Sequence, residues 1–130
     1  MLYCFDTNII IDIFRGDKEL LSKLKEDKKN QFCITSLSLA ELFRGAYLSS
    51  KTEESIKLIE EFIKNIEILQ LTNMACKVYG EKYFELKTHG KLTQDYDLLI
   101  SSIVLAHNLP LITRNKKHFE NISDLKIIEW

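Results

Sequence analysis

Five oxygen-bearing side chains stand next to the ends of predicted strands or the starts of predicted helices: Asp6, Glu41, Asp95, Asp97 and Asn115. Asp6 directly follows the apolar run Leu2 to Phe5, which has the length and character of a buried strand. In a parallel α/β sheet, the carboxyl ends of strands and the amino ends of the following helices share one edge. We therefore expect these side chains to meet at that edge, although most of the chain separates the first from the last.

Carboxylates gathered in this way predict a metal site. Acidic side chains within a few ångströms of one another repel and raise one another's pKa values, and a divalent cation removes that cost. The set contains hard oxygen ligands without a cysteine or a histidine pair, which favours Mg²⁺, with Mn²⁺ able to substitute, over zinc. Such a metal activates water, aligns a phosphodiester and stabilises the leaving oxygen. The constellation therefore predicts hydrolysis of a phosphodiester.

Each acid also has a purely structural interpretation. Asp6 can cap a helix that starts at Asn8, and Asp95 can be the N-cap of the helix that carries Asp97. Glu41 can be an ordinary surface acid, although it lies about 200° around its helix from Leu39 and therefore off the apolar stripe. These separate interpretations do not explain why all the acids fall on one edge.

Polar and basic residues after the strand Leu111 to Thr113 are candidates for substrate binding. Thr113, Arg114 and Lys116 are placed to meet phosphates at the predicted edge. The same segment can equally be a plain strand-end turn. His89 and His118 have no catalytic partner visible in the sequence, so we interpret both as structural.

Strands and helices alternate along the chain, which predicts an α/β fold with three layers, α/β/α, around a mostly parallel central sheet. The predicted strands cover residues 2–5, 32–35, 67–71, 111–113 and 126–129. The predicted helices cover residues 8–14, 17–28, 52–64, 72–86 and 95–106, with a further one that opens at Ser36 or Ser38 and runs to Tyr47. Asp17 and Thr72 are predicted to cap two of these helices.

Composition sets outer bounds on the protein. The 130 residues, 45% of them hydrophobic and 28% charged, predict one globular domain covering residues 1–130. No apolar run approaches the roughly 18 residues of a membrane span, and no secretory signal is visible, so we expect a cytoplasmic protein. The net charge of −1 does not indicate a nucleic-acid binder. However, bound metal ions add positive charge that is not included in this net charge. Three cysteines without metal-site spacing are expected to be buried thiols.

The chain resembles the PIN-domain ribonucleases, specifically the VapC toxins of prokaryotic toxin–antitoxin pairs. The likeness covers nearly the whole chain and rests on the order and spacing of these segments: Asp6-Thr7-Asn8, Ala40-Glu41-Leu42, Asp97-Leu98-Leu99-Ile100, Thr113-Arg114-Asn115, His118-Phe119 and the end at Trp130. It implies a PIN-like fold and a metal-dependent endoribonuclease that acts on RNA, often tRNA. It also implies a homodimer held inactive by a small cognate antitoxin, in a heterotetramer or a larger assembly.

Residue by residue, the resemblance matches Asp6 and Asp97 to the principal Mg²⁺ ligands of the family and Glu41 to its third core acid. Asp95 occupies a position that is often acidic. Asn115 stands where many relatives carry a fourth Asp, which leaves one or two metal ions open. The implied reaction is attack of metal-activated water on an RNA phosphodiester, leaving 5′-phosphate and 3′-hydroxyl ends.

Two other functions remain open at the level of sequence. Asn115 favours a catalytically degenerate PIN-fold module that binds RNA or protein without cleaving it. Aspartyl-phosphate signalling at Asp6 is weaker, because the chain lacks a second acid after the first strand and an evident lysine after a late strand.

Overall fold

The central sheet is parallel throughout. The computed structural model describes all residues from 1 to 130, and its strands are β1 (Leu2–Phe5), β2 (Gln31–Thr35), β3 (Glu67–Leu69), β4 (Leu111–Thr113) and β5 (Ile127–Glu129). Their order in the sheet is β3-β2-β1-β4-β5, and every neighbouring pair is parallel. The predicted α/β class is confirmed, and β1 lies at the centre of the sheet, where the residue that follows it is flanked by strand ends on both sides.

Six α-helices connect the strands: α1 (Thr7–Phe14), α2 (Lys18–Glu26), α3 (Ser36–Leu48), α4 (Thr52–Ile63), α5 (Asn73–Thr88) and α6 (Asp95–Ala106). A short 3₁₀ turn, Lys116–His118, follows β4. The second helix ends two residues before the predicted Lys28, and β3 stops at Leu69 rather than at Leu71. No helix combines the length and the apolar character that crossing a bilayer requires.

Side chains alternate between the two faces of the sheet and divide the core into two layers. Cys4, Cys33 and Leu111 face a cluster that includes Ala75, Leu86, Leu98, Ile100, Ile103 and Val104, contributed by α5 and α6. Phe5, Ile34 and Ile112 face the other cluster, which includes Ile9, Ile10, Leu20, Leu42, Ala46 and Ile59 from α1 to α4. The predicted three-layer architecture is confirmed. The third cysteine, Cys76, lies on the solvent side of α5, so the expectation of a buried thiol was wrong there.

Side-chain caps fix the starts of three helices. Asp17 accepts a hydrogen bond from the Leu20 N–H, and Thr72 accepts one from the Ala75 N–H, each at 3.1 Å, as predicted. The cap of α3 is Thr35, which accepts from the Ser38 N–H at 3.1 Å, rather than Ser36 or Ser38. Thr35 ends β2 and begins α3 at once, which leaves no loop between them and holds the first turn of α3 against the sheet edge.

Candidate active site

Asp6 lies at the carboxyl end of the central strand and is 4% exposed. The Thr113 hydroxyl, at the end of β4, donates a 2.9 Å hydrogen bond to Asp6 Oδ2. Burial raises the pKa of Asp6 to about 6, with smaller upward contributions from the charges of Asp97 and Glu41, while the Thr113 hydroxyl lowers it. Asp6 does occupy the N-cap position of α1, but its carboxylate makes no capping hydrogen bond, so the structural interpretation as a helix cap was wrong.

Glu41 lies on α3, and a hydroxyl from α1 holds its side chain at the same edge of the sheet. The Thr7 hydroxyl lies 2.7 Å from Glu41 Oε1, to which it donates, and 2.9 Å from the Ser38 hydroxyl. Thr7 is the first residue of α1, and both Ser38 and Glu41 belong to α3, so two hydrogen bonds at Thr7 connect these two helices beside Asp6. The Glu41 side chain is 21% exposed, and Arg44 lies 3.7 Å from its second oxygen.

Asp97 comes from the first turn of α6, and its side chain is 16% exposed. His118 Nδ1, in the turn after β4, lies 3.4 Å from Asp97 Oδ2. Burial raises the pKa of Asp97, the nearby imidazole lowers it, and the charge of Glu41 raises it again. His118 therefore has an acidic partner in the fold, and the interpretation of this histidine as merely structural has to be revised.

Asp6, Glu41 and Asp97, which we call the acid trio, form one electrostatic group. Asp6 responds to the charges of both other members, and Asp97 responds to the charge of Glu41. The three carboxylates come from three different elements that meet at the carboxyl edge of the sheet. A cluster of one buried and two partly buried acids whose charges raise one another's pKa values is a candidate functional site.

The donor chemistry of the acid trio fits a hard divalent cation, although the side chains are not arranged as a finished chelate. All its donors are carboxylate oxygens, and Asp6 uses only Oδ2 in its bond with Thr113. As they stand, however, no three His, Cys, Asp or Glu side chains lie close enough together to hold one ion. The carboxylates of the acid trio would therefore have to draw closer together before all three could hold one ion.

The other two predicted catalytic residues lie differently. Asp95 accepts a 3.0 Å hydrogen bond from the Tyr79 hydroxyl on α5, and Gln94 rather than Asp95 is the N-cap of α6. Asn115 stands just beyond β4, and its backbone N–H donates to the Thr113 hydroxyl at 2.9 Å. The structure thus brings Asp6, Glu41 and Asp97 together, turns Asp95 towards α5, and leaves the half-buried Asn115 amide at the border of the site.

The three predicted substrate-binding side chains all have partners within the chain. Thr113 is fully buried and bound to Asp6, which favours a positioning role over contact with a substrate. The Arg114 guanidinium lies 2.8 Å from Asp17 and 3.2 Å from Asp12, so it points towards α1 and α2. Lys116 Nζ lies 3.7 Å from Glu129 Oε1, and both side chains are more than half exposed.

An exposed cation–aromatic pair, which the sequence did not single out, borders the acid trio. The Arg44 guanidinium lies over the Tyr96 ring, 5.3 Å from its centroid. A groove of about 380 Å³ begins nearby at Glu41 and runs between α1, α3 and α4, where its apolar lining includes Phe14, Leu42 and Leu58. The role of Thr7 in holding Glu41 was also not predicted. The only indication of that role in the sequence is the position of Thr7 directly after Asp6.

Comparison with known proteins identifies the family. The pattern that defines the PIN domain matches residues 3–125. The chain belongs to the PIN-domain family. Ribonuclease VapC2 of Rickettsia felis is 34% identical to this PIN domain over 137 aligned positions, which cover 100% of this chain and 98% of that protein. The tRNA(fMet)-specific endonuclease VapC of Salmonella typhimurium is 28% identical, covering 98% of this chain and 97% of its own. The resemblance to VapC-type PIN domains is therefore confirmed.

Solved structures agree with this assignment. A chain in the crystal structure of VapBC2 from Rickettsia felis, bound to a DNA fragment from their promoter, superposes on this PIN domain with a TM-score of 0.92. It shares 32% sequence identity, and the match covers 100% of this chain and 99% of that one. The VapBC-1 structure from nontypeable Haemophilus influenzae gives a TM-score of 0.90 at 31% identity, over 100% of this chain and 98% of that one.

Proposed function

We propose that this protein is an Mg²⁺-dependent endoribonuclease toxin that hydrolyses RNA phosphodiesters at the acid trio. One observation carries the proposal: the buried Asp6 carboxylate is electrostatically coupled to Asp97 and Glu41 at the carboxyl edge of the sheet. Membership of the VapC-type PIN domains supports the endoribonuclease activity itself. The products are expected to carry 5′-phosphate and 3′-hydroxyl ends.

In this proposal Asp6, Glu41 and Asp97 hold Mg²⁺, and Asn115 or Asp95 contributes through water. When bound, the ion supplies the positive charge that the site lacks and makes water a better nucleophile. Thr113 keeps Asp6 oriented and favours its charged form, because its hydroxyl donates to the carboxylate. Thr7 does the same for the orientation of Glu41, and His118 faces Asp97.

We further propose tRNA as the substrate, which goes one step beyond the activity. The support is the name of the Salmonella relative, a tRNA(fMet)-specific endonuclease that matches 98% of this chain. The natural first probe is therefore an initiator tRNA transcript, with total cellular RNA as the wider search after brief expression of the protein.

A small VapB-like antitoxin is the proposed partner, in a complex that contains two copies of this chain. The solved relatives are toxin–antitoxin complexes, which supports this partner. The groove that begins at Glu41 is the proposed docking site for an antitoxin segment with apolar side chains and one basic residue. The apolar side chains fill the groove, and the basic residue pairs with the carboxylates at its end, as Arg does bidentately.

The test of the activity is cleavage of the initiator tRNA transcript by the wild type, Asp6→Asn and Asp97→Asn. We expect Mg²⁺ to support cleavage by the wild type, and EDTA or either substitution to abolish it. Lys25→Gln, on the exposed face of α2, is the control and is expected to cleave normally. Unchanged cleavage in both acid variants or in EDTA would overturn the proposal.

A catalytically degenerate binding module is the second candidate. Two observations favour it: Asn115 stands in place of an acid, and the acid trio is not arranged as a finished chelate. Calorimetric titration with Mn²⁺ separates the two candidates. Measurable binding that Asp97→Asn removes supports the nuclease, and absence of any heat in the wild type supports the binding module.

A further inference from the structure

The Arg44–Tyr96 pair is formed by residues that lie next to two members of the acid trio along α3 and α6. Arg44 follows Glu41 by one turn of α3 and lies 3.7 Å from its carboxylate. Tyr96 immediately precedes Asp97 in the first turn of α6. The cation–aromatic contact of 5.3 Å thus connects α3 and α6, the two helices that carry Glu41 and Asp97.

Both members of the pair remain accessible from solvent. The Arg44 side chain is 60% exposed and Tyr96 is 37% exposed. An exposed cation–aromatic contact contributes only about 0.5–1 kcal/mol, so stability alone is a weak reason for this arrangement. Of the Lys, Arg and His side chains, only Arg44 and His118 contact the acid trio, and Arg44 is the one whose charge does not depend on pH.

We propose that Arg44 and Tyr96 bind the RNA substrate, with an unpaired base stacked on the Tyr96–Arg44 pair and an adjoining phosphate bound by Arg44. This inference rests on the proposed ribonuclease function and names the part of the substrate that the site selects. Aromatic rings and guanidinium planes both stack on bases, and an Arg beside them binds phosphate. Bases inside a duplex are already stacked on their neighbours, so this pair selects a loop or another single-stranded region.

The experiment measures cleavage of the initiator tRNA transcript under single-turnover conditions, over a range of protein concentrations. Tyr96→Leu is expected to raise the half-saturating protein concentration about tenfold or more, since one stacked base contributes that much to binding. The maximal rate is expected to change far less than the half-saturating concentration. Tyr96→Phe keeps the aromatic face and is expected to restore the binding of the wild type.

Arg44→Gln tests the phosphate contact separately. We expect Arg44→Gln to bind the RNA more weakly, and its RNA affinity to depend less steeply on salt concentration by the share of about one phosphate contact. Arg44→Lys keeps the charge and should retain most of that salt dependence. Tyr47→Leu is the matched control for the aromatic ring, because Tyr47 lies on α3 and is 69% exposed. Lys25→Gln is the matched control for charge. Neither control is expected to alter binding.

Fluorescence anisotropy of the labelled transcript, with Ca²⁺ in place of Mg²⁺, separates failure of this inference from failure of the proposed function. If the wild type cleaves the RNA and both Tyr96→Leu and Arg44→Gln bind and cleave it as well as the wild type does, the inference is overturned and the nuclease stands. If the wild type binds but never cleaves and both variants lose binding, the pair still binds RNA and the nuclease falls. If the wild type neither binds nor cleaves the transcript or total cellular RNA, both are overturned.

Discussion

The Thr113 hydroxyl donates a 2.9 Å hydrogen bond to Asp6 Oδ2, and this bond joins the carboxyl ends of the adjacent strands β1 and β4. Thr113 is fully buried, and its oxygen also accepts the Asn115 backbone N–H. One hydroxyl therefore orients the central acid of the site and starts the turn that leads to His118. Thr113 was predicted to bind substrate, but its hydrogen bond better explains it as the residue that orients Asp6.

Thr113→Val is expected to shift the pH dependence of RNA cleavage. The lost hydroxyl favoured the charged form of Asp6, so the pKa of this carboxyl should rise further above its value of about 6 in the wild type. At a fixed, subsaturating Mg²⁺ concentration, the acidic limb of the pH–rate profile should move upwards by about one pH unit. Thr113→Ser keeps the donor and serves as the control. Coincident profiles for the Val and Ser variants would contradict this role.

Asp6→Asn is expected to stabilise the metal-free protein at neutral pH while it abolishes activity. Because burial raises the pKa of Asp6 from 3.8 to about 6, the folded state holds this proton more tightly than the unfolded state does. Protonated Asp6 therefore contributes its full stabilisation below the pKa that it has in the unfolded chain. This stabilisation is lost as the pH rises through the pKa of Asp6 in the folded protein. The neutral amide avoids that loss, which corresponds to about 3 kcal/mol at neutral pH.

Urea unfolding in EDTA measures this difference. The variant should exceed the wild type at neutral pH, and the two should converge below about pH 4, where both side chains are uncharged. Adding Mg²⁺ should stabilise the wild type more than the variant, since the variant lacks one of the three proposed carboxylate ligands. If the variant is less stable than the wild type at neutral pH in EDTA, burial of the charged Asp6 carboxylate does not destabilise the folded protein.

His118→Ala is expected to lower the apparent affinity for Mg²⁺ in cleavage assays about tenfold, a loss typical of removing a partner of a metal ligand. His118 Nδ1 lies 3.4 Å from Asp97 Oδ2 and restricts the orientation of that carboxylate. His118→Asn can still offer an N–H to Asp97 and should recover part of the affinity. The exposed His89, on the far end of α5, provides the control substitution His89→Ala. Equal Mg²⁺ dependence in His118→Ala and the wild type would refute the contact's role.

Leu58→Lys is expected to weaken antitoxin binding at least tenfold without unfolding the protein. Leu58 lines the groove between α1, α3 and α4 and is 47% exposed, so a charge there disrupts an apolar interface more than it disturbs the core. Leu21→Lys, at a 38% exposed position on α2 outside the groove, is the control. The measurement is co-purification and inhibition of RNA cleavage by the product of the neighbouring open reading frame. Full inhibition of both variants would place the antitoxin elsewhere.

The fold followed from the sequence because its local signals agree with one another. The apolar runs mark the strands, and the alternation of strands with helices predicts a mostly parallel sheet covered on both faces. Errors were confined to the ends of elements. The cap of α3 was missed because Thr35 belongs to β2 and to the helix start at once, and several neighbouring hydroxyls are equally good caps by type.

The site was predictable to the level of the sheet edge but not to the level of side-chain direction. Asp95 and Asp97 are two residues apart on α6 and therefore point about 200° away from each other. Only Asp97 can face Asp6, while Asp95 meets Tyr79 on α5. Arg114 shows the same limit, because successive residues at the end of β4 point in opposite directions. Thr113 turns to Asp6, and Arg114 turns to Asp12 and Asp17.

The place of β1 in the middle of the sheet has a consequence for how the protein is made. β1 is synthesised before its partner β4, and the hydroxyl that orients Asp6 follows that residue by more than one hundred positions. Trp130 then closes over Phe5 and Phe32, with ring centroids 5.6 and 5.8 Å from theirs. A chain that has been synthesised only as far as α6 therefore lacks β4, and with it the hydroxyl that orients Asp6.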